Sequence, residues 1–189
     1  MTKSRLEAFS DGVMAIIITI MVLELKVPHG AEWSDLCSLW PTFTSYLMSF
    51  AYIGIYWGNH HHLFHGVHKI NSHILLANLN LLFWMSLIPF TTAWMGENHF
   101  AQNTIALYCI SLLLPAIAYY ILQSIILHSH LHPEEFERAH KLQNRKGQVS
   151  LVCYLLAIAL SYAWPLGSGI LVVGVAIMWL IPDRNFEQQ

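Results

Sequence analysis

Five histidines, His60, His61, His62, His65 and His68, crowd into one short segment of a 189-residue chain that holds twelve. On a helix, His61, His65 and His68 fall at i, i+4 and i+7 and share a face. Neutral imidazoles one turn apart can bind Zn²⁺, and the imidazole titrates near neutral pH. A second candidate is Asp11, which follows Ser10 at the head of a long apolar run. It stands six residues beyond Arg5, about 9 Å farther along a helix. An ionisable group that deep in a membrane is costly and points to function by default. Glu24 at the far end of the run either draws cations electrostatically or is a solvated helix-end carboxylate. The bland readings weigh more for most of these groups. The histidines suit an interhelical hydrogen-bond network with adventitious Zn²⁺ binding, and Asp11 suits neutralisation by a His, Trp or Asn of a neighbouring helix. No HExxH pattern or other acid–base constellation supports an enzyme. Cys37, Cys109 and Cys153 form no CxxC pair, so metal or redox chemistry at cysteine has no support, and no cofactor is implied.

The elements that must position these groups are transmembrane helices. The chain is 56% hydrophobic and 11% charged, against about 25% charged in soluble domains, and its charges lie between long apolar stretches. Uncharged runs of about 17 residues or more read as spans. Six are expected: Arg5 to Leu25, Leu39 to Asn59, Ile74 to Trp94, Thr104 to Leu127, Val149 to Trp164 and Leu166 to Ile181. Pro165-Leu-Gly-Ser-Gly169 should join the last two tightly. Alternation of apolar and polar residues, the mark of a membrane β-barrel, is missing. The apolar run from Val13 to Leu23 is followed by no small-x-small cleavage site, so it reads as a retained helix rather than a signal peptide. Six spans put both ends on one side, and Lys3, Arg5, Lys69, Arg138, Lys141, Arg145, Lys146 and Arg184 fall there, against Lys26 alone on the other. The positive-inside rule makes that side cytoplasmic. The expectation is a multi-pass cell-membrane protein, all-α, forming a single domain over residues 1–189. A net charge of −2 gives no basic footprint for nucleic acid. The segment His128 to Gly147 reads as a cytoplasmic extension of helices four and five, with His128, His130 and His132 on a solvated face.

Within the first helix Phe9, Val13, Ile16, Ile20, Leu23 and Val27 follow the 4-3 spacing of a heptad seam. Gly12, Ala15 and Thr19 make a neighbouring stripe of small residues that permits close helix approach. In lipid such a stripe fits ordinary packing or lipid contact. It also fits a helix standing at the axis of an oligomer and lining a narrow hydrophobic constriction. Spacing alone leaves both open.

Three blocks of residues carry a resemblance. Arg5-x-x-x-Phe9-Ser10-Asp11-Gly-Val-Met-Ala-Ile16, with Thr19 after it, resembles the signature of the transmembrane protein 175 family of endolysosomal potassium channels and their prokaryotic relatives. Tyr56-Trp57-Gly-Asn59-His60-His61 with Leu63-Phe64 is similar to its second block. Asn78-Leu-Asn80-Leu-Leu, followed by Leu87-Ile88-Pro89-Phe90-Thr91-Thr92, is similar to the third. The blocks cover the first half of the chain; the second half agrees only in hydropathy. The resemblance implies a six-helix subunit, a homotetramer for a single-repeat chain, and a central pore lined by helix one that passes monovalent cations. It places the pore constriction at Ile16, Ile20 and Leu23, all on the stripe above. Arg5, Phe9, Ser10, Asp11, His60, His61 and Asn78 become a network that fixes helix one against its neighbours.

Such a pore cannot select like an ordinary potassium channel, because the chain has no TVGYG-like segment to supply a carbonyl filter. What remains is a hydrophobic gate, closing by dewetting and stripping water from the ion. Dehydration favours K⁺ over Na⁺, though modestly. The Thr19 hydroxyl either offers a compensating oxygen for selectivity or bonds back to a carbonyl one turn earlier. His62 stands where relatives often carry Arg, which makes the local charge pH-dependent. The alternative function is a proton-conducting channel or proton-coupled transporter using Asp11, Glu24 and the histidines.

Overall fold

The computed structural model describes residues 2–65, 67, 69–129 and 133–181, without the side chains of 133–142. Every regular element described is a helix. In chain order they are α1 (Lys3–Leu23), α2 (Trp33–Cys37), α3 (Trp40–His65), α4 (Ser72–Met85), α5 (Ile88–Glu97), α6 (Gln102–Ser129), α7 (Pro133–Ala163) and α8 (Pro165–Leu180). Four stretches are long and apolar enough to cross a membrane: Lys3–Leu23, Ser72–Glu97, Gln102–Ser129 and Gln143–Ala163. At 26 residues α3 has the length, but Ser, Thr, Tyr and the terminal histidines dilute its apolar character. The last helix, α8, is apolar but only 16 residues long.

Two expected joints differ. The third apolar segment is a broken helix, α4 and α5, interrupted at Ser86 and Leu87. Pro89 causes the break: it has no N–H for the carbonyl of Met85 and suits the first turn of a new helix. Thr91 and Thr92 do not cap that carbonyl; both hydroxyls donate to the Ile88 oxygen, at 3.1 and 2.7 Å. The joint between α7 and α8 is Trp164 alone, and Pro165 to Gly169 already belong to α8. Proline at N1 starts α8, and Gly167 gives room for the Trp164 ring, which a Cβ there would meet at 2.3 Å. The short helix α2 lies between the first two expected spans. A reciprocal capping box between Glu32 and Asp35 holds it.

Polar contacts order the ends of the bundle. Lys3 Nζ donates to the His65 carbonyl at 3.1 Å, Asn71 Nδ2 to Ser129 Oγ at 3.3 Å, and Lys146 Nζ to the Ile181 carbonyl at 3.0 Å. Toward the opposite end Lys26 pairs with Glu97, and Gln102 Nε2 donates to the Tyr162 carbonyl at 3.2 Å. Inside, α6 is the central helix, the most buried of the four long apolar stretches. Hydroxyls tie α3, α5 and α6 together. Ser49 Oγ meets Thr92 Oγ1 at 2.7 Å and the Tyr108 hydroxyl at 2.9 Å, while Thr91 Oγ1 meets Ser111 Oγ at 2.7 Å, all buried.

Two helices approach closely at Gly96, where a Cβ would meet Ser45 Oγ at 2.6 Å and the Thr42 Cα at 2.7 Å. Backbone cannot yield as a flexible side chain does. Gly96→Ala is therefore expected to push α5 off α3 and destabilise the subunit by about 1–3 kcal/mol, the usual cost of overpacking. Thermal unfolding in detergent checks it, and an unchanged midpoint would contradict the close approach.

Candidate pore helix and its clamp

The chain buries one stripe of α1, packs Val13 and Ile18 partly against the core, and leaves most of the rest exposed. Leu6, Ser10, Met14, Ile17 and Met21, spaced by three or four residues, are the buried positions. The heptad seam lies on another face, where Val13 packs partly against the core and the others are exposed. Phe9 is 51% exposed, Ile16 57%, Ile20 43% and Leu23 79%. Val27 lies past the end of α1, so the seam leaves the helix after Leu23. Gly12, Ala15 and Thr19 are exposed too, and a Cβ on Gly12 would meet nothing within 4 Å. The small-residue stripe therefore receives no helix of its own subunit. The Thr19 hydroxyl donates to the Ile16 carbonyl at 2.9 Å, the back-bonded arrangement.

A buried polar clamp joins α1 to its neighbours. Asn78 of α4 donates through Nδ2 to Ser10 Oγ at 2.9 Å, and Ser10 Oγ donates to the Leu6 carbonyl at 2.9 Å. On its other side Asn78 Oδ1 stands 2.7 Å from His60 Nε2. An amide oxygen only accepts, so this nitrogen carries the proton. The His60 ring stacks on Phe64 at 4.5 Å between centroids. Ser10, His60 and Asn78 are each 1% exposed or less. Three helices, α1, α3 and α4, thus share one hydrogen-bonded chain. Buried polar groups must be paired, and here Ser10, Asn78 and His60 pair with one another.

Asp11 is outside that chain. It lies on the exposed surface and accepts from Trp57 Nε1 of α3 at 3.0 Å. At 100° per residue it stands about 140° round the helix from Ile16, so Asp11 and the seam cannot face one axis together. Arg5 is exposed and makes no hydrogen bond or ion pair to the described residues. His61, His62 and His65 are exposed, with the His61 and His62 rings 5.8 Å apart. His68, His130 and His132 lie outside the described residues. Among the described residues no three His, Cys, Asp or Glu side chains gather as metal ligands do. His128 Nδ1 lies 2.7 Å from the Ser124 carbonyl of its own helix. Asn80 accepts from Trp84 Nε1 at 3.1 Å, again within one helix, so of the two asparagines only Asn78 bridges helices.

Glu24 is the residue at which α1 ends. Beside it the hydrogen bond and charge of Glu97 raise the Lys26 ammonium above its ordinary pKa. A raised lysine contributes fully below its unfolded pKa and loses that contribution as pH rises through the folded value. The pair is exposed, at 72% and 44%, and such pairs are worth little. Lys26→Met is expected to leave the unfolding midpoint at neutral pH unchanged. A clear drop there would mean this end of the bundle is more enclosed than the single subunit.

Ser10, His60 and Asn78 sit one in each of the three blocks, whereas Arg5, Phe9, Asp11 and His61 of the expected network take no part in the clamp. The hydroxyl network of Ser49, Tyr108 and Ser111 was missed, because Ser and Tyr in an apolar run look alike whether they face protein or lipid. Gly96 was missed for the same reason.

The fold is that of an all-helical protein with several helices long and apolar enough to cross a membrane. The family model for the endosomal/lysosomal potassium channel TMEM175 matches residues 5–89. A potassium channel of Chryseobacterium sp. (strain P1-3) is 51% identical over 188 residues, 100% of this chain and 97% of that one. The crystal structure of a lysosomal potassium-selective channel TMEM175 homolog from Chamaesiphon minutus superposes with a TM-score of 0.83 at 32% identity, covering 95% of this chain and 96% of that one. The human endosomal/lysosomal proton channel TMEM175 is 33% identical over 115 residues, 54% of this chain and 22% of that protein. The chain belongs to the TMEM175 family, which makes it a membrane channel protein and not an enzyme.

Proposed function

We propose that four copies of this chain form a potassium-permeable channel in the cell membrane, with α1 of each at the central axis and both termini cytoplasmic. Six crossings per subunit follow when α3 and α8 are counted with the four long apolar stretches and α4 with α5 is one crossing. Ile16, Ile20 and Leu23 then form successive hydrophobic rings. The ion sheds water at these rings, and the easier dehydration of K⁺ biases the flux. The observation that carries this reading is the exposure of Ile16, Ile20 and Leu23 on α1, with the Ser10–Asn78–His60 clamp on the helix's other side. Relatives of similar length are named potassium channels, which supports the choice of ion.

Reversal potentials of the purified protein in planar bilayers test it. In a K⁺ gradient the reversal is expected to move toward the K⁺ equilibrium potential, and a reversal at zero refutes the proposal. A second reading has one observation in its favour, that vertebrate relatives are named proton channels. Current that reverses with the pH gradient under symmetrical K⁺ would support that reading. Asp11 and Glu24 give it little help, because Asp11 is turned away from the seam and held by Trp57.

A further inference from the structure

Arg5 belongs to none of the hydrogen bonds that hold α1 to its neighbours. Its side chain is exposed and makes no hydrogen bond or ion pair to the described residues. A guanidinium stays charged at any physiological pH, so where it points matters to any ion that passes. Eleven residues separate Arg5 from Ile16. At 100° per residue they return to within about 20° of one direction, and they put Arg5 about 16 Å nearer the start of the helix. Phe9, 51% exposed, stands one turn beyond Arg5 on the same side. Arg5 therefore heads the exposed seam that continues through Ile16, Ile20 and Leu23. The other charges near this end point elsewhere. Lys3 Nζ donates to the His65 carbonyl at 3.1 Å. Glu7 is half-buried and stands about 160° round the helix from Arg5, while Asp11, held by Trp57, stands about 120° round it. Among the described residues the remaining carboxylates, Glu24, Glu32, Asp35 and Glu97, lie toward the opposite end of α1.

We propose that Arg5 makes the pore rectify: four guanidiniums, one from each copy, ring its cytoplasmic mouth and oppose cations that enter from that side. The inference rests on the tetramer with α1 at its axis. In that tetramer the face of Arg5 turns inward with Ile16, so the four charges stand at one level. Like charges around a mouth raise a local potential of a kT or more, and one kT lowers the cation concentration there about threefold. K⁺ driven outward has to enter through this depleted mouth. K⁺ driven inward enters at the other end, where α1 closes on Glu24. Inward current therefore exceeds outward current at equal and opposite voltages. Salt controls the effect, because such a field reaches about 30 Å at about 0.01 M ionic strength and about 3 Å at about 1 M.

Excised inside-out patches from cells expressing the full-length chain test it, since they fix which mouth faces the bath. In symmetrical K⁺ at about 0.01 M, inward current is expected to exceed outward current about 2–3-fold, and the ratio should approach one at about 1 M. Arg5→Lys should keep the low-salt ratio, Arg5→Gln should bring it close to one, and Arg5→Glu should reverse it. Reversal potentials in a K⁺ gradient, read in the same patches, separate this inference from the channel reading. K⁺ current with the same low-salt ratio in the wild type and in Arg5→Gln overturns the inference alone, and gives the guanidinium to a carboxylate of a neighbouring copy or to a lipid phosphate. Absence of K⁺ current overturns both. Should Arg5→Gln fail to accumulate, the unaltered protein decides: a ratio that does not move with salt overturns the role of Arg5.

Discussion

Ile16→Asn is expected to raise single-channel conductance about tenfold and to lower K⁺ over Na⁺ discrimination, a change worth about 1.4 kcal/mol in the barrier. In the proposed tetramer Ile16 contributes four apolar side chains at one level. Water leaves such a ring readily, and an ion entering it gives up hydration with no oxygen in return. Four carboxamides supply that oxygen to K⁺ and Na⁺ alike, so the barrier falls for both and the difference between them shrinks. Ile16→Ala should act in the same direction by widening the ring. Met14, on the buried stripe of the same helix, provides the contrast. Met14→Leu keeps the apolar volume and should change stability slightly and ion flow little. Recordings of both variants in planar bilayers make the comparison, and unchanged currents and selectivity in Ile16→Asn would remove Ile16 from the ion path.

Asn78→Leu is the second large effect. It leaves His60 Nε2 with a buried proton and no acceptor, and takes away the donor that Ser10 receives. Hydrogen bonds between membrane helices average about 0.6 kcal/mol, but an orphaned buried donor costs about 1–3 kcal/mol. The second figure governs here, because His60 is 1% exposed and cannot turn to water. A loss of about 2 kcal/mol is expected. His60→Leu combined with Asn78→Leu should cost less than the two single changes added, since apolar groups then face each other. Thermal unfolding of the four proteins forms the cycle, and strict additivity would mean that the clamp does not act as a unit. A functional effect should accompany it. Once Ser10 is released, α1 can turn, and 100° of turn per residue is enough for a small slip to replace Ile16 by its neighbour. Selectivity is therefore expected to fall in Asn78→Leu although the residue lies outside the proposed pore.

Much of the fold was legible in the residues. Apolar runs long enough to span a bilayer need no partner to be recognised, because the requirement that every backbone group be paired in lipid leaves helix as the only form for an uncharged run. The breaks were less legible. Pro89 signals a disturbance, but whether it kinks or interrupts depends on what neighbouring helices offer the freed carbonyl. Pro165 and Gly167 read as a turn, and became the first turn of α8 because the Trp164 ring needed the space over Gly167.

For the first helix the division is clear. The sequence by itself determined that α1 is a membrane helix with an apolar seam at Ile16, Ile20 and Leu23, and that Ser10 and Asp11 are costly to place within it. It could not say which face is covered, because lipid and protein core are equally apolar and the pattern carries no contrast. Tertiary structure decided that. Met14, Ile17 and Met21 are buried, the seam is bare, and Ser10 rather than Asp11 enters the clamp through Asn78 to His60. The physical reason is pairing: a buried hydroxyl, amide and imidazole can satisfy one another, whereas a carboxylate is held more cheaply at the surface beside the Trp57 N–H.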